Sequence, residues 1–412
     1  METMSALDAA FLHVEDAVTP MHIGMAAIFE GPIPDQASLL AAVASRLHHV
    51  PRYRQRVRFA PFAVARPMWS DDPHFRLEYH VRRTALPSPG SEIELRVLVG
   101  RVMEQRLDRE RPLWEMWAVE GLEDGHWGLI MKVHHCMVDG IAATDLLDLL
   151  LDHDGTTTID PPVPWQPAPE PAALGKLGET VAATAAGVAD GGRSIARAAL
   201  SPRKTILKAA AFVSGMANYA TVVRTPPPLS LNGPVGLHRR WFMARASLAD
   251  VKQVRAAYGC TVNDVVLAAI TQGFRELLLA RGESVEGRVV RTFVPVSVRT
   301  DDHHDRFNNE VSAVFADLPV WSADPIERLN LVHQTMDRLK HSGEAYAGKV
   351  LTELGGWAPA LGWALGNQIG TRTPQRFINT VTTNIPGPQM PWFLQGRRML
   401  ELFPYVPVGG HM

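Results

Sequence analysis

His134-His135-Cys136-Met137-Val138-Asp139-Gly140 follows an apolar run at residues 127–133 and precedes residues 141–151, where Leu146, Leu147 and Leu150 share one side of a helical repeat. The run predicts a buried strand and the repeat predicts a helix. Two imidazoles therefore stand where a strand ends and a loop turns into a helix. Loops held on a rigid scaffold are where reactive groups concentrate, and a neutral imidazole is well matched to accepting a proton near pH 7. Adjacent side chains on extended backbone point to opposite faces. Only one of the two rings is expected to meet a substrate, and the other to pack or hydrogen-bond.

Working outward, residues 25–29 and 114–119 read as strands, and residues 36–48 and 92–105 as helices. Pro161, Pro162, Pro164, Pro167, Pro169 and Pro171 then exclude regular helix or central strand. An Ala/Gly-rich stretch at 172–223 reads as two or three weakly amphipathic helices and closes in Pro226-Pro227-Pro228. The chain restarts near Arg239 with a strand-like 241–244. Helices follow at 248–258, capped by Ser247, and 262–280, capped by Thr261. Strands at 291–298 and 311–318 precede a helix opened by Asp324-Pro325 and running to His341. The expectation is a mixed α/β chain in three parts: residues 1–155 with the His motif, a Pro/Ala-rich and basic helical crossover at 156–235, and a second α/β domain at 236–412.

A chain of 412 residues exceeds what one core usually serves, which fits two domains. A formal net charge of −2 argues against a nucleic-acid partner bound by neutralising phosphates. The two cysteines, Cys136 and Cys260, fit a reducing cytosolic compartment better than a disulfide framework. The N-terminus lacks the basic-then-apolar form of a signal peptide, and no apolar run is long enough to span a bilayer. Residues 191–249 contain nine Lys or Arg and no acid. Within them Phe212, Met216, Tyr219 and Val223, bounded by Lys204, Lys208 and Arg224, have the spacing of an interfacial helix on anionic lipid.

The pattern HHxxxDG resembles the active-site signature of the bacterial wax ester synthase/acyl-CoA:diacylglycerol acyltransferase family. Other blocks extend the resemblance in order along the chain. They are Leu7-Asp8-Ala9 with Pro20-Met21-His22-Ile23-Gly24, then Leu107-Asp108-Arg109 with Arg111-Pro112-Leu113-Trp114-Glu115. Asn263-Asp264-Val265-Val266-Leu267-Ala268, Pro295-Val296-Ser297-Val298-Arg299 and Asn384-Ile385-Pro386-Gly387-Pro388 complete the series.

The resemblance implies two chloramphenicol-acetyltransferase-like sandwich domains with the active site between them. It implies transfer of a long-chain acyl group from acyl-CoA to the hydroxyl of diacylglycerol, or of a fatty alcohol to give wax esters. Acyl-CoA is then a substrate, and no cofactor or metal is expected. His135 is the expected proton acceptor. Asp139 is expected to turn from the substrate and pair with an arginine that fixes the loop, with Arg299 as candidate partner; orienting His135 within a triad is its other reading. Gly140 allows a tight backbone at the helix entry. Asn263 and Asp264 would lie near the pocket, although Asx residues at a helix start also cap. Ser297 and Asn384 are candidate oxyanion donors or turn residues.

The enzyme would work on the cytoplasmic side, peripherally on the inner membrane face or on lipid inclusions. A zinc site drawing on His135, Asp139 and the Asp301, Asp302, His303, His304 and Asp305 cluster is a rival; the cluster reads more simply as a solvated loop, and the resemblance implies that this loop is non-catalytic. A carrier-dependent condensation enzyme shares HHxxxDG but not the N-terminal and PLW blocks. A non-enzymatic lipid-surface protein would not need the intact motif. Two departures stand out: Asn308-Asn309 replaces a frequent Gly-Asn, and the chain stops at Gly409-Gly410-His411-Met412, where similar proteins usually continue into further strand. The last strands, and with them a covered sheet edge, are expected to be missing.

Overall fold

The computed structural model describes residues 2–59, 66–137, 150–156, 159–169, 229–297, 311–341, 378–385 and 387–409. Most of the expected helix at 141–151 and of the crossover at 156–235, with Lys204, Lys208 and Arg224, lies outside these residues, as do the acidic–histidine cluster at 301–305 and Asn308-Asn309.

The first half opens with β1 (Glu2–Thr3) and α1 (Ala6–Val14), then β2 (His22–Phe29) and α2 (Gln36–Arg46). Strands β3 (Gln55–Arg58) and β4 (Met68–Asp71) follow, then α3 (Leu77–His80), β5 (Val81–Ala85), α4 (Glu92–Glu104), β6 (Trp114–Glu120) and β7 (Trp127–His134). The expected helix at 36–48 stops at Arg46 and tightens into a 3-10 turn at Leu47–His49.

β7 is buried at all eight positions because helices cover both of its faces. Leu129, Met131 and Val133 pack with Trp114, Met116 and the α2 residues Leu39 and Val43. Ile130 packs on the other face against Leu95, Val99, Val102 and Met103 of α4. A strand covered on both sides reads as a continuous apolar run, and each fully buried aliphatic side chain contributes about 1.5–3 kcal/mol. Lys132 is the exception in that run. Its ammonium donates to Val102 O (2.9 Å) and to Gln105 O, satisfying carbonyls at the C-terminal end of α4.

The second half contains α5 (Leu248–Tyr258), α6 (Val262–Ala280), β8 (Val290–Ser297), β9 (Val311–Leu318), α7 (Pro325–His341) and β10 (Thr380–Val381). β8 pairs antiparallel with β9 and parallel with β10. Leu267 and Leu278 of α6 and Leu329, Val332 and Met336 of α7 pack on Val294, Val314 and Ala316.

The last strands, β11 (Phe393–Leu394) and β12 (Arg397–Tyr405), cross back to the first half. The six-stranded sheet has the order β11-β12-β2-β7-β6-β5. Residues 397–405 were expected with the second half; in the sheet they pair antiparallel with β2. Residues 241–244, expected as a strand, have no ladder partner among the described residues. Their alternation has another cause: the extended chain lays Trp241 into the α4 core while Phe242 faces solvent. Trp241 Nε1 donates to Pro404 O (3.2 Å), and Arg245 pairs with Glu92 (2.8 Å) and Glu401, which replaces ladder bonds as the anchor.

Gly24 sits opposite Lys132 in the β2–β7 ladder. A Cβ there would fall 2.3 Å from Met131 O and 2.5 Å from Met103 Cε. Gly24→Ala is expected to destabilise by about 1–3 kcal/mol through overpacking, read as a lower melting temperature. An unchanged melting temperature would show that α4 can shift to make room.

Candidate active site

β7 runs one residue further than its apolar pattern and ends on His134. His134 N–H donates to Leu113 O (2.9 Å), and His135 N–H donates to Met21 O (2.8 Å). The chain then turns through a 3-10 turn, His135–Met137. The two rings do separate. His134 is 1% exposed and lies opposite the equally buried His22 in the ladder. Its Nδ1 accepts the Cys136 N–H (3.1 Å), so the neutral ring carries its proton on Nε2. That nitrogen points towards Glu15 Oε1 at 3.7 Å. Burial holds His134 down to about 4, well into the neutral range at pH 7.

His135 is half-buried, and its ring stacks on Phe11 of α1, with centroids 3.9 Å apart and planes at 17°. Its Nδ1 is buried and has no hydrogen-bond partner among the described residues. Burial lowers its pKa below the ordinary histidine value. The side chain is therefore a neutral imidazole at pH 7, held by its main chain on one side and an aromatic ring on the other, a suitable state for a general base.

Beneath the pair lies a buried carboxylate that the sequence reading did not single out. Glu15 follows α1 and accepts Met21 N–H (3.1 Å), Arg109 Nη2 (2.7 Å) and Nε (3.1 Å), and Arg106 Nη2 (3.2 Å). Burial pushes its pKa up, but His134, Arg109 and the Met21 N–H outweigh burial and hold it below the usual range. An acid just past a helix C-terminus opposes the helix dipole, and that misfit was the available signal. Its partners, some ninety positions later, cannot be paired from one sequence.

In the second half, Asn263 and Asp264 open α6. Thr261 and Asp264 form a capping box, with Thr261 N–H donating to Asp264 Oδ2 (2.9 Å). His333 Nδ1 also lies 2.8 Å from Oδ2, forming an Asp–His pair between α6 and α7 that was not foreseen. Asn384 Nδ2 donates to Asn263 Oδ1 (3.3 Å), so two predicted pocket residues do meet. Asp139, Gly140 and Arg299 lie outside the described residues. Ser297 ends β8, with its main chain opposite Val311. Among the described residues no cluster of three metal-ligating side chains occurs.

The halves have the chloramphenicol-acetyltransferase-like α/β fold, and the motif at the end of the central strand is that of HHxxxDG acyltransferases. The likeness to the first condensation domain of a calcium-dependent antibiotic synthetase, with a TM-score of 0.56 at 16% identity over 100% of this chain and 85% of that one, shows the fold alone. Wax ester synthase/diacylglycerol acyltransferase from Marinobacter aquaeolei VT8 superposes with a TM-score of 0.69 at 26% identity, covering 100% of this chain and 88% of that one. The model of the wax ester synthase/diacylglycerol acyltransferase catalytic domain matches residues 4–266, and that of the family's C-terminal domain matches residues 307–412. A Mycobacterium tuberculosis relative, named as a probable diacylglycerol O-acyltransferase, is 39% identical over 99% of this chain and 86% of its own length. The chain belongs to the wax ester synthase/diacylglycerol acyltransferase family.

Proposed function

We propose that this enzyme transfers a long-chain acyl group from acyl-CoA to the free hydroxyl of diacylglycerol, giving triacylglycerol, with fatty alcohols as secondary acceptors. The names of its relatives support the reaction class. The observation that carries the mechanism is the His135 imidazole: neutral, stacked, and fixed through its own main chain.

A thioester is already activated, so the obstacle is the weak nucleophilicity of an alcohol. His135 takes the hydroxyl proton as the oxygen attacks the thioester carbonyl. The tetrahedral intermediate collapses, the C–S bond breaks, and the leaving thiolate recovers the proton from the imidazolium. A positioned base of this kind contributes roughly 10²–10⁴-fold, and alignment of the two substrates contributes further. The step consumes acyl-CoA as a substrate and needs neither a cofactor nor an acyl-enzyme. His134 supports the turn through its bond to Cys136. Asp139 holds the loop with Arg299, and Asn263, Asp264, Ser297 and Asn384 belong to the pocket wall.

No helix among the described residues is long and apolar enough to cross a membrane. The lipid acceptor and the basic residues Lys204, Lys208 and Arg224 support work at the cytoplasmic surface of the inner membrane or on lipid inclusions.

The test is incubation of purified enzyme with labelled palmitoyl-CoA and either diacylglycerol or hexadecanol. Triacylglycerol is the expected main product, at a rate unchanged by chelator. Because the His135 pKa is depressed, kcat/KM should rise with pH and level off at or below about pH 6.5, the free histidine value. Absence of ester with both acceptors, or a chelator-sensitive rate, would overturn this reading.

A further inference from the structure

The buried carboxylate below the histidine pair has no part in the reaction as derived so far. We propose that Glu15 is a positioning residue for acyl transfer, which sets the place of His135 through Met21, Phe11 and His134 and balances two guanidiniums beside the pair. The proposal rests on His135 as the base.

Contacts of Glu15 with five residues carry it. Glu15 Oε1 accepts Met21 N–H (3.1 Å), and the carbonyl of that same Met21 accepts His135 N–H (2.8 Å). One residue therefore links the carboxylate to the backbone of the base. Glu15 N–H donates to Phe11 O (3.2 Å), and Phe11 is the ring on which His135 stacks. Oε1 faces the protonated edge of the His134 ring at 3.7 Å, which favours the tautomer whose Nδ1 closes the turn on Cys136 N–H. Oε2 receives Arg109 and Arg106, and Arg109 also donates to Leu12 O (2.8 Å), so the end of α1 is locked to the 106–109 loop. The carboxylate holds the backbone link and the neighbouring ring of His135, and the main chain of the same residue holds its stacking partner.

The charge argument is separate. Asp8, His13 and Glu15 come from α1 and its end, Arg106 and Arg109 from the loop before β6, and His22, Lys132 and His134 from the sheet. Burial dominates the His134 pKa; among the charges, Glu15 raises it and Arg109 and Arg106 lower it. A neutral side chain at position 15 leaves both guanidiniums unopposed next to the pair. The His135 pKa is lowered chiefly by its own burial, and under the proposal the same field extends by Coulomb's law from His134 to this adjacent ring, where it disfavours an imidazolium.

Glu15→Gln keeps the size and one acceptor but removes the charge. We expect kcat to fall about tenfold or more, as misplacement of a reacting group does, with KM for palmitoyl-CoA little changed. The acid limb of kcat/KM should move to lower pH. Arg106→Gln, at a position that is 41% exposed in the side chain, should move the limb the opposite way. Glu15→Gln/Arg109→Gln should return the limb towards wild type without recovering kcat, since the link to Met21 stays weakened.

Wild-type kcat with an unmoved limb in Glu15→Gln would overturn the proposal. So would a loss of rate that only follows loss of folded protein on melting, with no limb shift in any of the three variants. His135→Ala measured alongside separates the two readings. If His135→Ala retains turnover, the base assignment falls; if His135→Ala is inactive and Glu15→Gln is silent, only the positioning role falls.

Discussion

His135→Ala is expected to fold normally and to lose turnover by roughly 10²-fold or more. The ring is half-buried, makes no side-chain hydrogen bond through Nδ1 among the described residues, and stacks on Phe11, so its removal leaves the sheet and its ladder bonds in place. The melting temperature should change little. His134→Ala should behave in the opposite way. That side chain is 1% exposed and accepts the Cys136 N–H, so its loss opens a cavity and strips a buried donor of its partner. A cost of about 2 kcal/mol or more follows from those two terms, and activity should fall only as far as the turn is displaced. Steady-state rates and thermal melts on both variants decide the matter. If His134→Ala abolished turnover at wild-type stability while His135→Ala stayed active, the base would be the other imidazole.

Acid should destabilise the protein steeply between about pH 6.5 and 4, starting well above the range in which exposed carboxylates titrate. Burial holds His22 down to about 3 and His80 and His134 down to about 4, against 6.5 for each when unfolded. The sign follows from proton counting. Below pH 6.5 the unfolded chain binds protons at these sites and the folded chain does not, so stability is full above 6.5 and is lost as pH falls towards the folded values. One pKa unit corresponds to about 1.4 kcal/mol, so three such sites contribute several kcal/mol on that order-of-magnitude basis. Glu15 and Asp264, also held low, add to the loss further down. Thermal melts from pH 7 to 4 should show the melting temperature falling throughout. A flat profile across that window would mean that the three rings are hydrated or protonated in the fold. His80 Nδ1 lies 2.8 Å from Trp114 O, and its ring stacks on the same tryptophan. His80→Gln should reduce the pH slope at some cost in stability at pH 7.

Much of the fold was legible because local signals agreed with the tertiary outcome. α5, α6 and α7 occupy the expected spans because a capping residue and a consistent periodicity mark each of them, and β9 does so as a short apolar run. The 241–244 segment shows the limit: alternation records which side of an extended chain is buried, and it does so with or without a neighbouring strand. The return of β12 to β2 was not legible, because nothing in an edge strand's own pattern names its partner. At the site, separation of the two rings follows from strand geometry alone. Glu15 and His333 were missed because their meaning lies in partners far along the chain, Arg106 and Arg109 for the first and Asp264 for the second. A charge is recognisable in sequence, whereas its burial and its counter-ion are properties of the assembled core.

The strand that ends in the histidine pair is made early in synthesis, yet the sheet around it is closed by Arg397–Tyr405. Until those residues emerge, β2 presents an open edge, one strand away from the reactive rings. Ordering that edge requires a loop spanning nearly the whole chain to close, an entropic cost met late and by non-local pairing. Activity should therefore appear on the ribosome only after the second half has been made. The early half waits as a partly folded, edge-exposed species, the kind of intermediate that relies on chaperones.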